Sequence, residues 1–257
     1  MKKMFRKWIY RFLATLVFIA GILITLVLQP TLTYANKTTH NNFRIYHNKT
    51  LNVGLLKQLD TCIGLLQKSE YYRPNLQLDI CLNDGSLYPT IIEKIQRPAF
   101  AWGFYNKVVL NGEIDYTNNL LVLGDYKWNL QQLLTHEMIH CLQYDRLGLW
   151  KSNPLASIPE WKWEGYAEYI ARQANDQKDL VKNLDRLFKT DSTEWSILFS
   201  DGSIIPRIYY QYWVLVQYCM DIRKMSFTDL LKDTVSEESK RKAMMDWYKT
   251  AISSTSP

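Results

Sequence analysis

Several features are scarce or missing in this sequence. It contains only four histidines and four cysteines among 257 residues, and it has no internal repeat and no low-complexity tract. A repeat architecture is therefore excluded. Disorder is not expected either, because 47% of the residues are hydrophobic and 22% are charged, as in ordinary globular domains. A chain of this length accommodates one moderate domain and an N-terminal appendage.

The body of the chain also lacks an excess of either charge. The net charge is +6, from 31 basic and 25 acidic residues. Residues 1–35 hold five of the bases and no acid, which leaves 26 bases against 25 acids in the rest of the chain. A balance of this kind gives no support to nucleic-acid binding, and we expect no nucleic-acid partner.

The N-terminal charge precedes the longest apolar run, and the body has no second run of that length. Basic residues 1–11 lead into an unbroken apolar stretch at 12–28. This order is typical of a secretory signal peptide or of an N-terminal membrane anchor, and both assignments of residues 1–35 stay open. A signal peptide would be cleaved after Ala35. A membrane anchor is also possible, because the apolar run is at the short end of the range for a spanning helix. Either way the basic flank predicts that the rest is exported, as a secreted or membrane-anchored protein.

Residues 36–42 are polar and are predicted to form an unstructured linker, followed by one domain at 43–257. Four cysteines in an exported domain permit two disulfides in three connectivities. Buried free thiols are the alternative. The cysteines are Cys62, Cys81, Cys141 and Cys219.

The order of the predicted elements indicates an α+β domain. Alternating residues predict strands at 43–47, 76–82, 99–105 and 107–110. An amphipathic helix is predicted at 51–66, and further helices at 128–147, 164–173, 207–222 and 240–252. Ser226 and Asp229 have the spacing of a capping box and predict one more short helix. Most of the strands are predicted in the first half of the chain and most of the helices in the second half. This order is typical of the α+β class.

Two of the four histidines stand close together. His136 and His140 are four residues apart in the sequence THEMIH, so on a helix they differ by only about 40° around the axis. That spacing lets two neutral imidazole nitrogens bind one zinc ion. Glu137 lies on an adjacent part of the same face, where it can accept a proton from a zinc-bound water and pass it to a leaving group.

A third candidate ligand lies in the next predicted helix, within the sequence WKWEGYAEY. A catalytic zinc needs a third protein ligand and an open position for water, and Glu164 is placed to supply the ligand. Glu168, one turn on, can accept a hydrogen bond from the other nitrogen of a ligand histidine. Small Gly165 and Ala167 are expected to let this helix approach the histidine helix closely. The alternative for both glutamates is a solvated acidic edge.

Together the two motifs resemble those of the gluzincin zinc metallopeptidases. The pattern is similar to HExxH followed by W-x-x-E-G-x-A-E-Y, which is typical of the peptidase-MA-like group, and it covers roughly residues 128–172. The resemblance implies a zincin-like α+β domain that binds one Zn²⁺ per chain through His136, His140 and Glu164. It implies Glu137 as general base and acid, and Glu168 as support for a ligand histidine. It also implies an edge strand near 99–105 that binds an extended peptide.

The chain departs from some relatives of that group. The aminopeptidase signature G-x-M-E-N is missing, and Ala101–Tyr105 stands nearest to its place. This departure counts against a classical aminopeptidase. Metzincins are excluded, because Gln143–Gly148 contains no third histidine.

Other polar and aromatic residues are weaker candidates. Hydrolysis through a tetrahedral intermediate needs a donor for the oxyanion. Tyr209 is the first candidate and Arg207 the second, although Tyr209 is alternatively a packing residue. Trp161 and Trp163 are expected to be core residues rather than substrate contacts. Cys141 is rotated away from His140 and is not expected to be a ligand.

The sequence therefore predicts a zinc-dependent peptidase that acts on a peptide or protein substrate on the outer side of a membrane. An exported zinc-binding module without catalytic activity is the alternative, although the intact Glu137 argues against it. In a second alternative both motifs are accidental, and the chain is a membrane-tethered interaction protein.

Overall fold

The structure is a computed structural model that describes residues 2–253, apart from the side chains of residues 2–5 and 175. Its helices are α1 (Lys2–Leu28), α2 (Val53–Leu66), α3 (Tyr88–Ile95), α4 (Leu130–Leu147), α5 (Glu160–Ala171), α6 (Leu180–Lys189), α7 (Arg207–Gln217), α8 (Phe227–Lys232) and α9 (Glu237–Ser253). Its strands are β1 (Asn36–His40), β2 (Phe43–His47), β3 (Leu78–Cys81), β4 (Ala101–Phe104), β5 (Lys107–Leu110), β6 (Glu113–Asp115), β7 (Leu120–Leu123), β8 (Tyr126–Asn129), β9 (Ser196–Leu198) and β10 (Ile204–Pro206). The predicted α+β class is confirmed.

The main sheet has five strands in the order β1-β2-β3-β5-β4. The three inner strands are parallel, and the two edge strands run antiparallel to their neighbours. Alternate side chains of the inner strands enter two cores on opposite faces of the sheet. The larger core, which contains residues of α2 and α4, receives Ile45, Ile80 and Val108. The smaller core, which contains residues of α3, receives Tyr46, Cys81 and Val109.

Helix α4 is the central element of the larger core. The side chain of Asn129 caps it by accepting a hydrogen bond from the Gln132 backbone N–H, and Gly148 ends it with φ of 79°. The helix packs against β4 on one side and against α5 on another, and α5 in turn packs against α7. This arrangement brings an edge strand and three helices together around the residues of the THEMIH segment.

One helix of the described part of the chain is long and apolar enough to cross a membrane. It comprises Arg6–Leu28 within α1, and it is not buried by the domain. Its position at the N-terminus fits both a signal peptide and an anchor.

Some boundaries and one assignment differ from the sequence predictions. The prediction of an unstructured linker at 36–42 is wrong, because Asn36–His40 forms edge strand β1, paired with β2 from Asn36↔His47 to His40↔Phe43. Helix α4 begins at Leu130, after β8, and α5 begins at Glu160, four residues earlier than predicted. Helices α3 and α6 were not predicted. The four cysteines are buried free thiols, so no disulfide is formed among them.

Candidate metal centre

Helix α4 presents two histidines to one point. The Nε2 atoms of His136 and His140 are 3.0 Å apart, and the two rings are edge to face with centroids 4.7 Å apart. Both side chains are buried, because α4 lies between the sheet and α5. One ligand atom of Glu137 lies within 4.8 Å of a ligand atom of each histidine. The cluster of these three residues is able to hold a metal ion.

Glu164 of α5 completes a compact triad with the two histidines. Its Oε2 atom lies 3.2 Å from Nε2 of His136 and 3.2 Å from Nε2 of His140. Ligand atoms arranged tetrahedrally at 2.0–2.1 Å from zinc are about 3.3 Å apart, close to all three separations observed here. The Glu164 side chain is 19% exposed, against 6% and 7% for the two histidines, so it is the most solvent-accessible member of the triad. The residues present therefore fit a zinc site with an open position.

The buried ion pair of Glu168 and Arg172 lies next to His136, on the Nδ1 side of its ring. The Nδ1 atom of His136 is 3.1 Å from Oε1 of Glu168, a close charge contact in which neither atom meets the geometry of a hydrogen bond. The other oxygen of Glu168 accepts a 2.6 Å hydrogen bond from Nε of Arg172. Arg172 also donates to Gln132, and its guanidinium lies over the rings of Phe199 and Trp213. Because a carboxylate only accepts, Glu168 favours the tautomer of neutral His136 that carries its proton on Nδ1, which leaves Nε2 free to bind a metal.

The side-chain amide of Gln143 fixes the orientation and the tautomer of His140. Gln143 donates from Nε2 to the Trp163 carbonyl over 3.2 Å, which turns its Oε1 toward Nδ1 of His140 at 2.8 Å. The proton of neutral His140 is therefore held on Nδ1, and its Nε2 faces the triad. The Trp163 ring stacks on the imidazole with centroids 5.5 Å apart and planes 12° apart. Trp163 is thus a buried residue that also orients His140.

The cluster has an excess of negative charge. It contains three carboxylates, those of Glu137, Glu164 and Glu168, and of these Glu168 is paired with the Arg172 guanidinium. Burial alone lowers the pKa of His136, but the Glu168 and Glu164 carboxylates outweigh it and raise that pKa well above its usual value. Burial likewise lowers the pKa of His140, and Glu164 raises it above its usual value. These raised pKa values favour protonated histidines in the metal-free cluster. When both histidines are neutral, as metal binding requires, the three carboxylates and the guanidinium sum to −2, which a divalent cation balances.

Glu137 stands beside the triad under edge strand β4. Burial raises the pKa of its carboxyl, and the two histidines and the Gly103 backbone amide partly offset that effect. A Cβ atom on Gly103 would lie 2.2 Å from the Glu137 carbonyl oxygen. Only glycine therefore permits β4 to approach α4 so closely.

Substitution of Gly103 by alanine is expected to separate β4 from α4. The obstructing atoms belong to the Glu137 backbone, so the added methyl cannot be relieved by a rotamer change, and we expect a loss of about 1–3 kcal/mol of unfolding free energy. Urea unfolding measures it. Gly64→Ala is the matched control, because no atom lies within 4 Å of a Cβ placed there in α2, and it should be neutral or stabilising by up to about 1 kcal/mol. Equal stabilities of the two variants would contradict the close approach.

The two candidate oxyanion donors lie in different places. The Tyr209 ring stacks on His136 with centroids 6.3 Å apart. Burial raises the pKa of its phenol, and Glu164 and Glu137 raise it further, so the hydroxyl stays protonated. The Arg207 guanidinium instead donates to backbone carbonyls of Leu187, Thr190, Asp191 and Glu194. Arg207 is therefore removed as a candidate, whereas the role of Tyr209 stays a prediction.

One packing prediction for α5 is wrong. Gly165 faces α7 rather than the histidine helix, because a Cβ there would lie 2.6 Å from the Tyr212 carbonyl oxygen. Trp161 is a buried core residue, as predicted. Cys141 is buried, and its thiol donates to the Lys107 carbonyl oxygen over 3.4 Å rather than to a residue of the triad.

Three residues of the site were missed in the sequence. Gln143 and Arg172 follow His140 and Glu168 by one helical turn, and that spacing is a signal that could have identified them. Gly103 is distant in sequence from α4, and no local pattern indicates its contact.

Comparison with protein families and with curated proteins gives no match for this chain. The structural evidence for a metal centre is therefore the geometry of the cluster itself.

Proposed function

We propose that this protein is a zinc-dependent peptidase of the gluzincin type. The observation that carries the proposal is the convergence of His136 Nε2, His140 Nε2 and Glu164 Oε2, with separations of 3.0–3.2 Å. The two histidines have their other nitrogens directed to acceptors, and a third carboxylate stands beside the triad. A purely structural zinc site uses four protein ligands and needs no such carboxylate.

In the proposed reaction, Glu137 moves the protons. When bound, zinc lowers the pKa of a coordinated water to about 7 and polarises a carbonyl oxygen. The buried Glu137 carboxylate, with a raised pKa, accepts a proton from the attacking water and passes it to the departing amine. The protonated Tyr209 hydroxyl donates a hydrogen bond to the oxyanion. Glu168 and Gln143 keep the two ligand histidines in their orientations.

The proposed substrate is an extended peptide bound along β4. This strand is the edge of the main sheet, and Gly103 brings it against the Glu137 backbone. A peptide that pairs with the free side of an edge strand gains backbone hydrogen bonds without a requirement for particular side chains. The proposed location is the outer side of a membrane, because the basic residues at the start of α1 favour the inner side.

Metal removal tests the proposal. We expect the full-length protein in detergent to hydrolyse members of a mixed peptide library, to lose this activity on chelation, and to regain it when zinc is added. Mass spectrometry of the new peptide ends measures the activity. The melting temperature should also fall on chelation, because a ligand bound only by the folded state stabilises it.

Each other outcome has a definite meaning. Zinc-dependent melting without cleavage of any peptide would indicate an exported zinc-binding module that lacks catalysis. A chelator that changes neither melting nor cleavage would contradict the metal site itself.

A further inference from the structure

The segment that follows α1 belongs to the folded domain. Tyr34 is 8% exposed, and its hydroxyl donates to the Leu82 carbonyl over 2.8 Å. Its ring packs in the smaller core, with centroids about 6 Å from those of Tyr46 and Tyr88. The backbone N–H of Ala35 donates to Oδ1 of Asn48 over 2.7 Å, and β1 begins at the next residue. Cleavage after Ala35 would therefore remove a buried side chain from the core.

The outer end of α1 is also bonded directly to α3. Tyr88, the first residue of α3, is fully buried and donates from its hydroxyl to the Val27 carbonyl over 2.6 Å. Ser86, just before α3, donates to the Thr33 carbonyl over 3.0 Å. The start of α3 is thus fixed within one helical turn of the end of α1. If α1 crosses a bilayer, α3 lies at its surface.

The solvent side of α3 is apolar next to that junction. Leu87 is 71% exposed and Ile95 is 53% exposed, and the half-buried Ile91 lies between them. A spacing of four residues places all three on one side of the helix. Leu32, which is 60% exposed, borders a groove along α1 together with Ile22, Thr25 and Leu26.

The exposed charged residues of α3 and of the turn that follows it suit a lipid headgroup. Lys94 and Arg97 are exposed beside Ile95. Apolar side chains at the boundary of the acyl chains, with cations at the level of the phosphates, are typical of a helix that lies in a membrane interface. Helix α1, which is hydrogen-bonded to the start of α3, also has largely exposed apolar side chains in the described structure. Lipid therefore fits both surfaces.

We propose that α1 is retained as a membrane helix and that the domain docks directly on the outer leaflet. The docking surface consists of Leu32, Leu87, Ile91 and Ile95, and its partner is the lipid surface. Because Val27 and residues 33–35 are hydrogen-bonded to the domain, the docked orientation is fixed too, without a flexible stalk. This inference does not depend on the zinc site.

Site-specific quenching by lipid tests the docking surface. The four native cysteines are buried free thiols, so an introduced surface cysteine can be labelled selectively. Leu87→Cys and Ile95→Cys in the full-length chain are labelled with a polarity-sensitive fluorophore and placed in nanodiscs of phosphatidylcholine and phosphatidylglycerol. Phe188→Cys on α6 is the matched control, because Phe188 is 50% exposed. Lipids brominated near the headgroup should quench the labels at 87 and 95 several-fold more than the label at 188.

Several outcomes would overturn the proposal. Equal quenching at all three positions, or none at 87 and 95, would contradict a specific docking face. Blue-shifted labels at 87 and 95 without quenching would indicate a protein partner in place of lipid. Membrane-derived protein whose first residue is Asn36 would show that α1 is removed. Zinc content, measured on the same samples, distinguishes these failures from a failure of the proposed peptidase function.

Discussion

Replacement of Glu137 by glutamine is expected to lower peptide hydrolysis by about 10²–10⁴-fold, the usual contribution of a general acid–base group. The amide is similar in size to the carboxylate but cannot accept and return a proton at neutral pH. Zinc should stay bound, because the close triad is formed by His136, His140 and Glu164. The measurements are the cleavage rate of a peptide found in the library and the zinc content of the same preparation.

A matched substitution controls for the loss of a carboxylate elsewhere. Glu238 is exposed on α9, and Glu238→Gln should leave both the cleavage rate and the zinc content unchanged. If Glu137→Gln retained the wild-type rate, the proton-transfer role of Glu137 would be wrong. If it lost zinc along with activity, Glu137 would be a ligand rather than the base.

The second large effect is expected from removal of Arg172. This side chain is 1% exposed and is the guanidinium partner of Glu168, itself 1% exposed, at 2.6 Å. Arg172→Met leaves the Glu168 carboxylate buried opposite His136 alone. Breaking a buried ion pair on one side destabilises a protein by about 3–5 kcal/mol. We expect the unfolding free energy to fall by about 3 kcal/mol, because His136 remains as a partner of Glu168. Urea unfolding of the metal-free protein measures it.

An exposed ion pair provides the control for Arg172. Lys182 and Asp179 are 3.8 Å apart with side chains 74% and 45% exposed. Lys182→Met should therefore change the unfolding free energy by only about 0–1 kcal/mol. An Arg172→Met variant as stable as Lys182→Met would mean that the guanidinium does not support the site.

The cluster of proposed metal ligands could be predicted because its geometry is local. His136 and His140 share a helical face through their spacing of four residues alone, and Glu164 and Glu168 share a face of the next helix in the same way. That Glu164 and the histidines meet depends on packing between two helices, which the motif resemblance implied and the structure contains. The role of each residue in catalysis stays a prediction.

Contacts between distant segments could not be predicted. Gly165 was expected to face α4 because it neighbours Glu164, yet on a helix successive residues point about 100° apart, and Gly165 reaches α7. Residues 36–40 contain no apolar alternation, because edge strand β1 exposes most of its side chains. The residue pattern therefore does not predict the backbone pairing of β1 with β2. The approach of Gly103 to Glu137 is likewise a tertiary contact.

Zinc content tests the central claim most directly. The full-length protein is purified beside a His136→Ala, His140→Ala double variant and a matched double variant at the other two histidines, His40→Ala, His47→Ala. Elemental analysis should find about one zinc ion per chain in the wild type and in the matched control, and essentially none in the variant that lacks the two proposed ligands. No zinc in folded wild-type protein even after the metal is added, or equal zinc in all three, would contradict the metal centre.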